Sequence, residues 1–111
     1  KSFGEIYFNE IKQNKKKGWI QHKKNHCLFS VAYGKVNFKL IDGRKNSPSF
    51  EAEENITLSK NKHNILLVPP GVWFCFTTKK KKSVIVNLIN NPHSDKESIK
   101  SDNINGYRIK N

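Results

Sequence analysis

The apolar residues of this chain fall in short runs and alternations, separated by turns rich in Gly, Pro, Asn and Lys. Short apolar segments bounded by turn residues predict β-strands. The predicted strands cover residues 6–11, 28–33, 35–41, 50–58, 65–68, 72–77 and 84–89. No segment carries a long apolar repeat of helical period, so we expect little helix. Roughly seven or eight short antiparallel strands predict an all-β sandwich or barrel.

The clearest local pattern surrounds Gly34. Apolar and polar side chains alternate through residues 35–41, which is typical of a strand with one face in water. Gly34 separates this segment from the apolar run at 28–33, and the sequence predicts that the two strands form a hairpin. The polar segment from about residue 90 to 111 is expected to be an irregular tail of one domain that spans residues 1–111.

The chain is strongly basic. Its 111 residues include 21 Lys and Arg against 9 Asp and Glu, a formal charge of +12, and lysines form runs at 15–17 and 79–82. Such a field attracts phosphate, nucleic acid and acidic membranes alike. Nucleic-acid binding would also need exposed aromatic rings for stacking, or a helix that carries Arg and Asn to base edges. Because neither is evident in the sequence, we interpret the runs as solvated turns and expect no specific nucleic-acid partner.

Cys27 and Cys75 each lie inside an apolar run, and two cysteines do not make a disulfide framework in a chain of this size. We therefore predict buried, reduced thiols. The sequence contains no apolar run of about 18 residues and no charged-then-apolar leader, so we expect no membrane span and a cytoplasmic location. Because the core is small, we expect a homodimer, in which a second chain adds stability by burying further surface.

Two motifs carry a family resemblance. The segment PPGVWFCF at 69–76 follows LIDGRKNSPSF at 40–50 after room for one strand and a turn. Together they resemble the sugar-nucleotide cupins of the dTDP-4-dehydrorhamnose 3,5-epimerase type, over nearly the whole chain. The resemblance implies a jelly-roll barrel that binds a nucleotide-diphosphate sugar in deoxysugar or surface-polysaccharide biosynthesis.

The chain departs from this family where the family has its catalytic side chains. The resemblance places Ile20 at the position of the general base and Cys27 at that of the lysine, while the tyrosine falls near Asn90. Phe74 stands where a further family histidine follows Pro-x-Gly. Because metal-binding cupins use these histidines as ligands, we expect no metal and no cofactor. A zinc cluster of His22, His26 and Cys27 is the alternative, although residues so close in one strand converge poorly.

A related branch, the dTDP-sugar 3,4-ketoisomerases, resembles residues 18–23 (GWIQHK) more closely. In that branch paired histidines move protons around the ketone, and His22 is the one retained here. His22 is therefore our candidate catalytic base, since an imidazole titrates near neutral pH. The alternative interpretation is a polar residue at the barrel rim. His63 and His93 lie in polar turns, and we interpret them as surface residues.

The remaining candidates are substrate-binding residues. Arg44 could clamp a diphosphate through paired hydrogen bonds, whereas the alternative for Arg44 and Ser47 is a purely structural turn. Lys17 replaces a phosphate-binding arginine of the family and keeps only its charge. The other candidates implied by the resemblance are Lys23, His26, Trp73 and Phe74. For Trp73 and Phe74 the alternative is packing in the core.

Two functions from different classes follow. The first is a sugar-nucleotide epimerase or isomerase that acts on a dTDP-4-keto-6-deoxyhexose with an altered active site. The second is a catalytically silent cupin that binds a sugar nucleotide or serves as a scaffold. Ile20 and Phe74 at the base positions leave the choice between enzyme and binding module open.

Overall fold

Two β-sheets and no helix make up the described part of the chain, which comprises residues 4–61, 64–91 and 98–101 of the computed structural model. The strands are β1 (Glu5–Lys12), β2 (Lys16–His22), β3 (Cys27–Tyr33), β4 (Lys35–Asp42), β5 (Glu53–Ser59), β6 (Leu66–Val68), β7 (Val72–Thr77), β8 (Lys82–Ile89) and β9 (Ser98–Lys100). No helix among these residues is long and apolar enough to cross a membrane.

The strands form a jelly-roll barrel of two antiparallel sheets. One sheet has four strands in the order β1-β8-β3-β6, and the other has five in the order β5-β4-β7-β2-β9. Side chains from both sheets meet in one core, where the rings of Phe29 on β3 and Phe38 on β4 lie 5.1 Å apart. The all-β fold predicted from the sequence is confirmed.

Strand β7 shows how the sequence fills both faces of the five-stranded sheet. Val72, Phe74 and Phe76 belong to the core between the sheets, as the two-residue period of a strand requires. Trp73 and Cys75 belong instead to a second buried cluster, together with Trp19 and Ile41. The run VWFCF is therefore apolar throughout because β7 is covered on both sides.

The predicted hairpin of residues 28–33 and 35–41 is wrong. Strand β3 pairs with β6 and β8, whereas β4 pairs with β5 and β7, so Gly34 carries the chain from one sheet to the other. Gly34 has a φ of 85°, and a Cβ at this position would collide with the Ser83 side chain. The alternation at 35–41 identified the buried face of β4 correctly, but alternation does not specify which strand is the partner.

Two strands were not predicted. Strand β2 begins with lysines and contains Gly18, where its register against β7 shifts, so it lacks a clean alternation. Strand β9 pairs with β2 inside the polar segment that we expected to be irregular, and the rest of that segment lies outside the described residues. Strand β5 begins at Glu53 rather than at residue 50, because residues 47–52 form hydrogen-bonded turns.

The barrel has two chemically different ends. We call residues 22–26, 43–51, 69–71 and 90–91 the histidine end, and residues 13–15, 33–35, 59–61 and 78–82 the lysine end. Strand β4 runs from Lys35 at the lysine end to Asp42 at the histidine end, a span of about 23 Å at the usual rise of a strand.

Cys27 and Cys75 are both buried thiols outside any disulfide, as predicted. Burial is also the main reason that the pKa of Cys75 lies above its ordinary value, with the nearby Lys16 and Lys39 acting in the opposite direction.

Replacement of Phe38 by Ala tests the core. Phe38 has no exposed surface and its ring packs against Phe29 and Phe76. We expect Phe38→Ala to lower the free energy of unfolding by about 3–5 kcal/mol through lost contacts and the cavity left behind. Urea denaturation followed by tryptophan fluorescence measures the change. The control is Ile65→Ala, at a side chain that is 66% exposed, for which we expect less than about 0.5 kcal/mol; an equal effect of the two would contradict this core assignment.

Candidate sugar-nucleotide site

His22 ends strand β2 at one mouth of the barrel. The residue is only 8% exposed, and its ring lies parallel to that of Phe74, with centroids 6.2 Å apart and an angle of 8° between the planes. Its backbone carbonyl accepts a hydrogen bond of 2.9 Å from the N–H of Gly71. The candidate base therefore lies against the aromatic core rather than on an open rim.

Phe74 occupies space in the barrel interior, where the resemblance implies a histidine. It is 2% exposed and packs edge-on against Phe29 at 5.1 Å and parallel to Phe76 at 6.5 Å. Ile20 packs against the same core, and Cys27 is fully buried in it. Three positions that carry polar catalytic side chains in the resembled family are hydrocarbon or thiol here, so the interior next to His22 is apolar.

The fourth such position, Asn90, has a structural role. Its side-chain oxygen accepts a hydrogen bond of 2.9 Å from the backbone N–H of His26, whose side chain is exposed. Beside it, the Asn91 amide donates to the side-chain oxygen of the buried Asn25 at 2.9 Å. These bonds fix the loop that joins β2 to β3, which also carries the exposed Lys23, next to His22.

Arg44 is held by Asp42, a residue that the sequence reasoning missed. Its Nε and Nη2 donate to the two carboxylate oxygens at 2.9 and 3.0 Å, and its backbone N–H donates to Oδ1 at 2.9 Å. The Ser49 hydroxyl donates to the same carboxylate. Asp42 is buried, yet the Arg44 hydrogen bonds outweigh burial and, helped by Ser49, hold the pKa of Asp42 well below its usual range.

Ser47 lies in the turn that carries this cluster. Its N–H donates to the Arg44 carbonyl at 2.9 Å, and its hydroxyl accepts from the Ser49 N–H at 3.2 Å. The Arg44 stem runs over Gly71, where a Cβ would meet Arg44 Cγ at 2.6 Å. Arg44 therefore lies beside the Gly71–His22 contact and keeps 44% of its side chain exposed.

Lys17 and Trp73 lie away from His22. Lys17 borders a cavity of about 300 Å³ between β2 and β9, whose other lining residues are Gly18, Trp19, Ile20, Lys100 and Ser101. Trp73 faces the outer side of the five-stranded sheet, opposite to Phe74. The structure thus brings Arg44, Ser47, Lys23 and His26 to the histidine end with His22 and packs Phe74 against the His22 ring, whereas Lys17 and Trp73 lie elsewhere.

No group of three or more His, Cys, Asp or Glu side chains within residues 4–61, 64–91 and 98–101 could hold a metal ion. The histidines at 63 and 93, interpreted from the sequence as surface residues, lie outside these ranges.

The two-sheet jelly-roll barrel is shared with solved sugar-nucleotide isomerases and epimerases. The sequence profile of the dTDP-4-dehydrorhamnose 3,5-epimerase family matches residues 13–105, and the chain belongs to that family. A comparison with curated protein sequences gave no significant match.

Solved structures agree with this assignment. The dTDP sugar isomerase of Desulfovibrio desulfuricans superposes with a TM-score of 0.86 at 32% identity, covering 91% of this chain and 66% of that one. The dTDP-4-dehydrorhamnose 3,5-epimerase of Bacillus anthracis, solved with TDP and pyrophosphate, superposes with a TM-score of 0.83 at 23% identity. The match covers 89% of this chain and 59% of that one. The Legionella pneumophila epimerase, solved with dTDP-4-keto-L-rhamnose, superposes with a TM-score of 0.81 at 18% identity. The match covers 89% of this chain and 54% of that one. The chain thus spans just over half to two thirds of the length of these proteins.

The ion pair at Asp42 makes stability depend on pH. A carboxylate whose folded pKa is depressed stabilises the fold fully above the unfolded pKa of about 3.9 and loses that contribution as pH falls below it. We expect Asp42→Asn to lower the free energy of unfolding by about 1–2 kcal/mol at neutral pH, because it weakens hydrogen bonds to a charged group.

Urea denaturation of both proteins at neutral pH and near pH 3 measures the difference. The difference in free energy of unfolding between wild type and Asp42→Asn should be smaller near pH 3 than at neutral pH. A gap of equal size at both pH values would show that the Asp42 charge contributes nothing to stability.

Proposed function

We propose that this protein binds a dTDP-4-keto-6-deoxyhexose at the histidine end and isomerises it, with His22 as the acid and base. The observation that carries the proposal is the placement of His22 at the barrel mouth, nearly buried against Phe74 and joined through Gly71 to the Arg44 turn. The family assignment and the TDP and dTDP-sugar ligands bound in related solved structures supply the substrate class.

The proposed reaction type follows from the catalytic side chains of the family that this chain lacks. Epimerisation at C3 and C5 needs a second group to return the proton to the opposite face, and the positions for those groups hold Ile20 and Asn90. Moving the ketone from C4 to C3 removes a proton from C3 and delivers one to C4 through an enediol. One imidazole can perform both transfers on one face of the sugar, because it can accept a proton at C3 and return it at C4.

Candidate partners for the phosphate groups lie in two places. Arg44 keeps 44% of its side chain exposed although Asp42 holds two of its nitrogens, so the guanidinium can contact a phosphate without giving up that pair. Lys17 and Lys100 flank the cavity between β2 and β9, away from the Arg44 turn, and can attract a phosphate there only as point charges. Lys23 and His26 complete the proposed contacts at the loop after β2.

The alternative function is a catalytically silent sugar-nucleotide binder. The packing of Phe74 between Phe29, Phe76 and His22 favours it, because these rings occupy the interior in which the sugar ring would otherwise sit. A silent binder would hold the nucleotide at the Arg44 turn and leave the sugar protons untouched.

We further propose a homodimer built on the outer face of the four-stranded sheet. One row of cross-strand neighbours there consists of Ile6, Leu88, Leu28 and Leu67, and the next begins with Phe8 and Val86. Phe8 is 72% exposed and Ile6 58%. A contiguous apolar face of this kind marks a protein contact, and a second copy of so small a domain would cover it. A cytoplasmic location accords with the two cysteine thiols.

Proton exchange tests the isomerase proposal. Proton NMR of dTDP-4-keto-6-deoxyglucose in deuterated buffer should show loss of the C3 proton signal when the protein is added. His22→Ala should slow this loss by at least about 100-fold, the usual contribution of a general base. The matched control is His63→Ala, which removes an imidazole that the sequence places in a polar turn.

Loss of the C3 signal that continues unchanged in His22→Ala would contradict the role of His22. Nucleotide signals that broaden without any exchange would replace the isomerase with the silent binder.

Sedimentation velocity tests the dimer. We expect Phe8→Glu to raise the dimer dissociation constant by at least about tenfold, because it buries a charge in an apolar contact. The fold should persist, since Phe8 packs little within the chain. Ile99→Glu changes a 41% exposed side chain on the other sheet and serves as the control. A wild type that is monomeric at all concentrations, or a control as disruptive as Phe8→Glu, would contradict this interface.

A further inference from the structure

We propose that the lysine end is a binding site for a chain of linked phosphate groups, separate from the sugar-nucleotide site. The structure forms there a cleft of about 1050 Å³. Five lysines line it, and they come from three parts of the chain: Lys35, Lys60, Lys80, Lys81 and Lys82. The sequence shows only a charged turn at 79–82, whereas the fold adds cations from two other segments and gives them a common concave surface.

The backbone beneath these lysines is fixed by buried hydrogen bonds. The Thr78 hydroxyl donates to the Lys35 carbonyl at 2.7 Å and lies 2.8 Å from the Ser83 hydroxyl, which in turn accepts from the Lys35 N–H at 3.1 Å. The Lys60 N–H donates to the Gly34 carbonyl at 3.1 Å. The three segments are therefore held in one arrangement before any ligand arrives, which lowers the entropic cost of binding.

The second lysine run of the sequence adjoins the same end. The Gln13 N–H donates to the Lys81 carbonyl at 3.1 Å, and the Asn14 N–H donates to the Thr78 carbonyl at 3.2 Å. The turn that leads into lysines 15–17 is thus docked on the turn that carries lysines 79–82. Both runs contribute to one electrostatic field, although they are far apart in the sequence.

Carboxylates are segregated from this end. None of the described residues that line the cleft is Asp or Glu. Glu10 is the described carboxylate that approaches it, 3.8 Å from the Lys82 ammonium, and both of these side chains are about half exposed. The strand register and turn contacts place the other described carboxylates at or near the histidine end: Glu5, Asp42, Glu51, Glu53 and Glu54.

This arrangement selects a polyanion rather than a single anion. Five ammonium groups around one cleft repel one another, and only a ligand that carries several adjacent negative charges neutralises them together. The volume accommodates a small molecule. Lysine suits this task as a mobile point charge that meets phosphate oxygens in many geometries.

An aromatic ring also borders the cleft. Tyr33 is 52% exposed, and the Lys82 ammonium lies 6.0 Å from its ring centroid. An exposed ring next to phosphate-binding lysines can stack on a nucleobase. Two ligands that carry linked phosphate groups therefore fit the cleft: inorganic oligophosphate and a nucleoside triphosphate.

The cleft is distinct from the sugar-nucleotide site. Lys35 and Asp42 are the two ends of strand β4, so the cleft lies about 23 Å from the Arg44 turn. The interior between the two ends is filled by the core rings of Phe29, Phe38 and Phe76. A ligand at the lysine end therefore does not reach His22.

Calorimetric titration of the wild-type protein with inorganic triphosphate, at a near-physiological salt concentration of about 150 mM, tests the proposal. We expect saturable binding with one ligand per chain. Lys35→Gln combined with Lys81→Gln should weaken it by at least about tenfold, since two phosphate contacts are lost. Lys39→Gln combined with Lys45→Gln removes the same charge elsewhere and should change affinity by less than about twofold.

Titration with ATP then distinguishes a nucleoside triphosphate from an inorganic oligophosphate as the ligand. Tighter binding of ATP than of triphosphate, with the advantage lost in Tyr33→Ala, would identify a nucleoside triphosphate; equal binding would identify the phosphate chain alone. The proposal would be overturned by binding that does not saturate, or by equal losses in the two double variants. Binding of a short oligothymidylate at least about tenfold tighter than triphosphate would also overturn it, in favour of a nucleic-acid surface.

Discussion

Phenylalanine rings packed between the two sheets hold the barrel together. Phe29 from the four-stranded sheet contacts Phe38, Phe74 and Phe76 from the five-stranded sheet, with centroids 5.1 to 6.3 Å apart. A chain of this length buries a modest core, and large aromatic side chains supply much of the apolar area that can be removed from water. These contacts hold the sheets together and set the shape of the barrel.

The same packing limits the chemistry that the barrel can perform. Phe74 contributes to the core from a position that faces His22, so one side chain serves stability and defines the wall of the site. Ile20 and Cys27 extend this apolar wall. The polar groups that remain are at the histidine end, where Asp42 holds Arg44 and where Asn90 holds the loop after β2. Membership of the family therefore does not by itself define the reaction of this chain. The proposed reaction depends on His22.

The sequence predicted the strands better than their partners. Alternation places β4 and β8 closely, because one buried face imposes a two-residue period, and the apolar run between turn residues places β7. The hairpin at Gly34 was wrong since a crossover between sheets produces the same local pattern as a hairpin. Strand β2 was not predicted because Gly18 and the preceding lysines interrupt its alternation. The family resemblance nevertheless placed residues 18–23 of this strand and the following loop in a family motif.

The residues of the candidate site differ in how clearly the sequence marks them. His22 and Arg44 stand out by residue type within a recognisable motif. Asp42 does not, because an Asp before Gly is an ordinary turn signal, and only the fold shows that its carboxylate is buried beneath Arg44. The convergence of Lys35 and Lys60 with the run at 79–82 also depends on sheet topology, which no local pattern encodes.

The proposed function requires that a sugar nucleotide binds at the histidine end, against His22. Titration with dTDP-glucose, a stable analogue of the proposed substrate, followed by proton–carbon NMR of the histidine rings, tests this directly. We expect the Cε1–H signal of His22, assigned with His22→Ala, to shift on saturation. An unchanged His22 signal under conditions where dTDP-glucose is bound would contradict it.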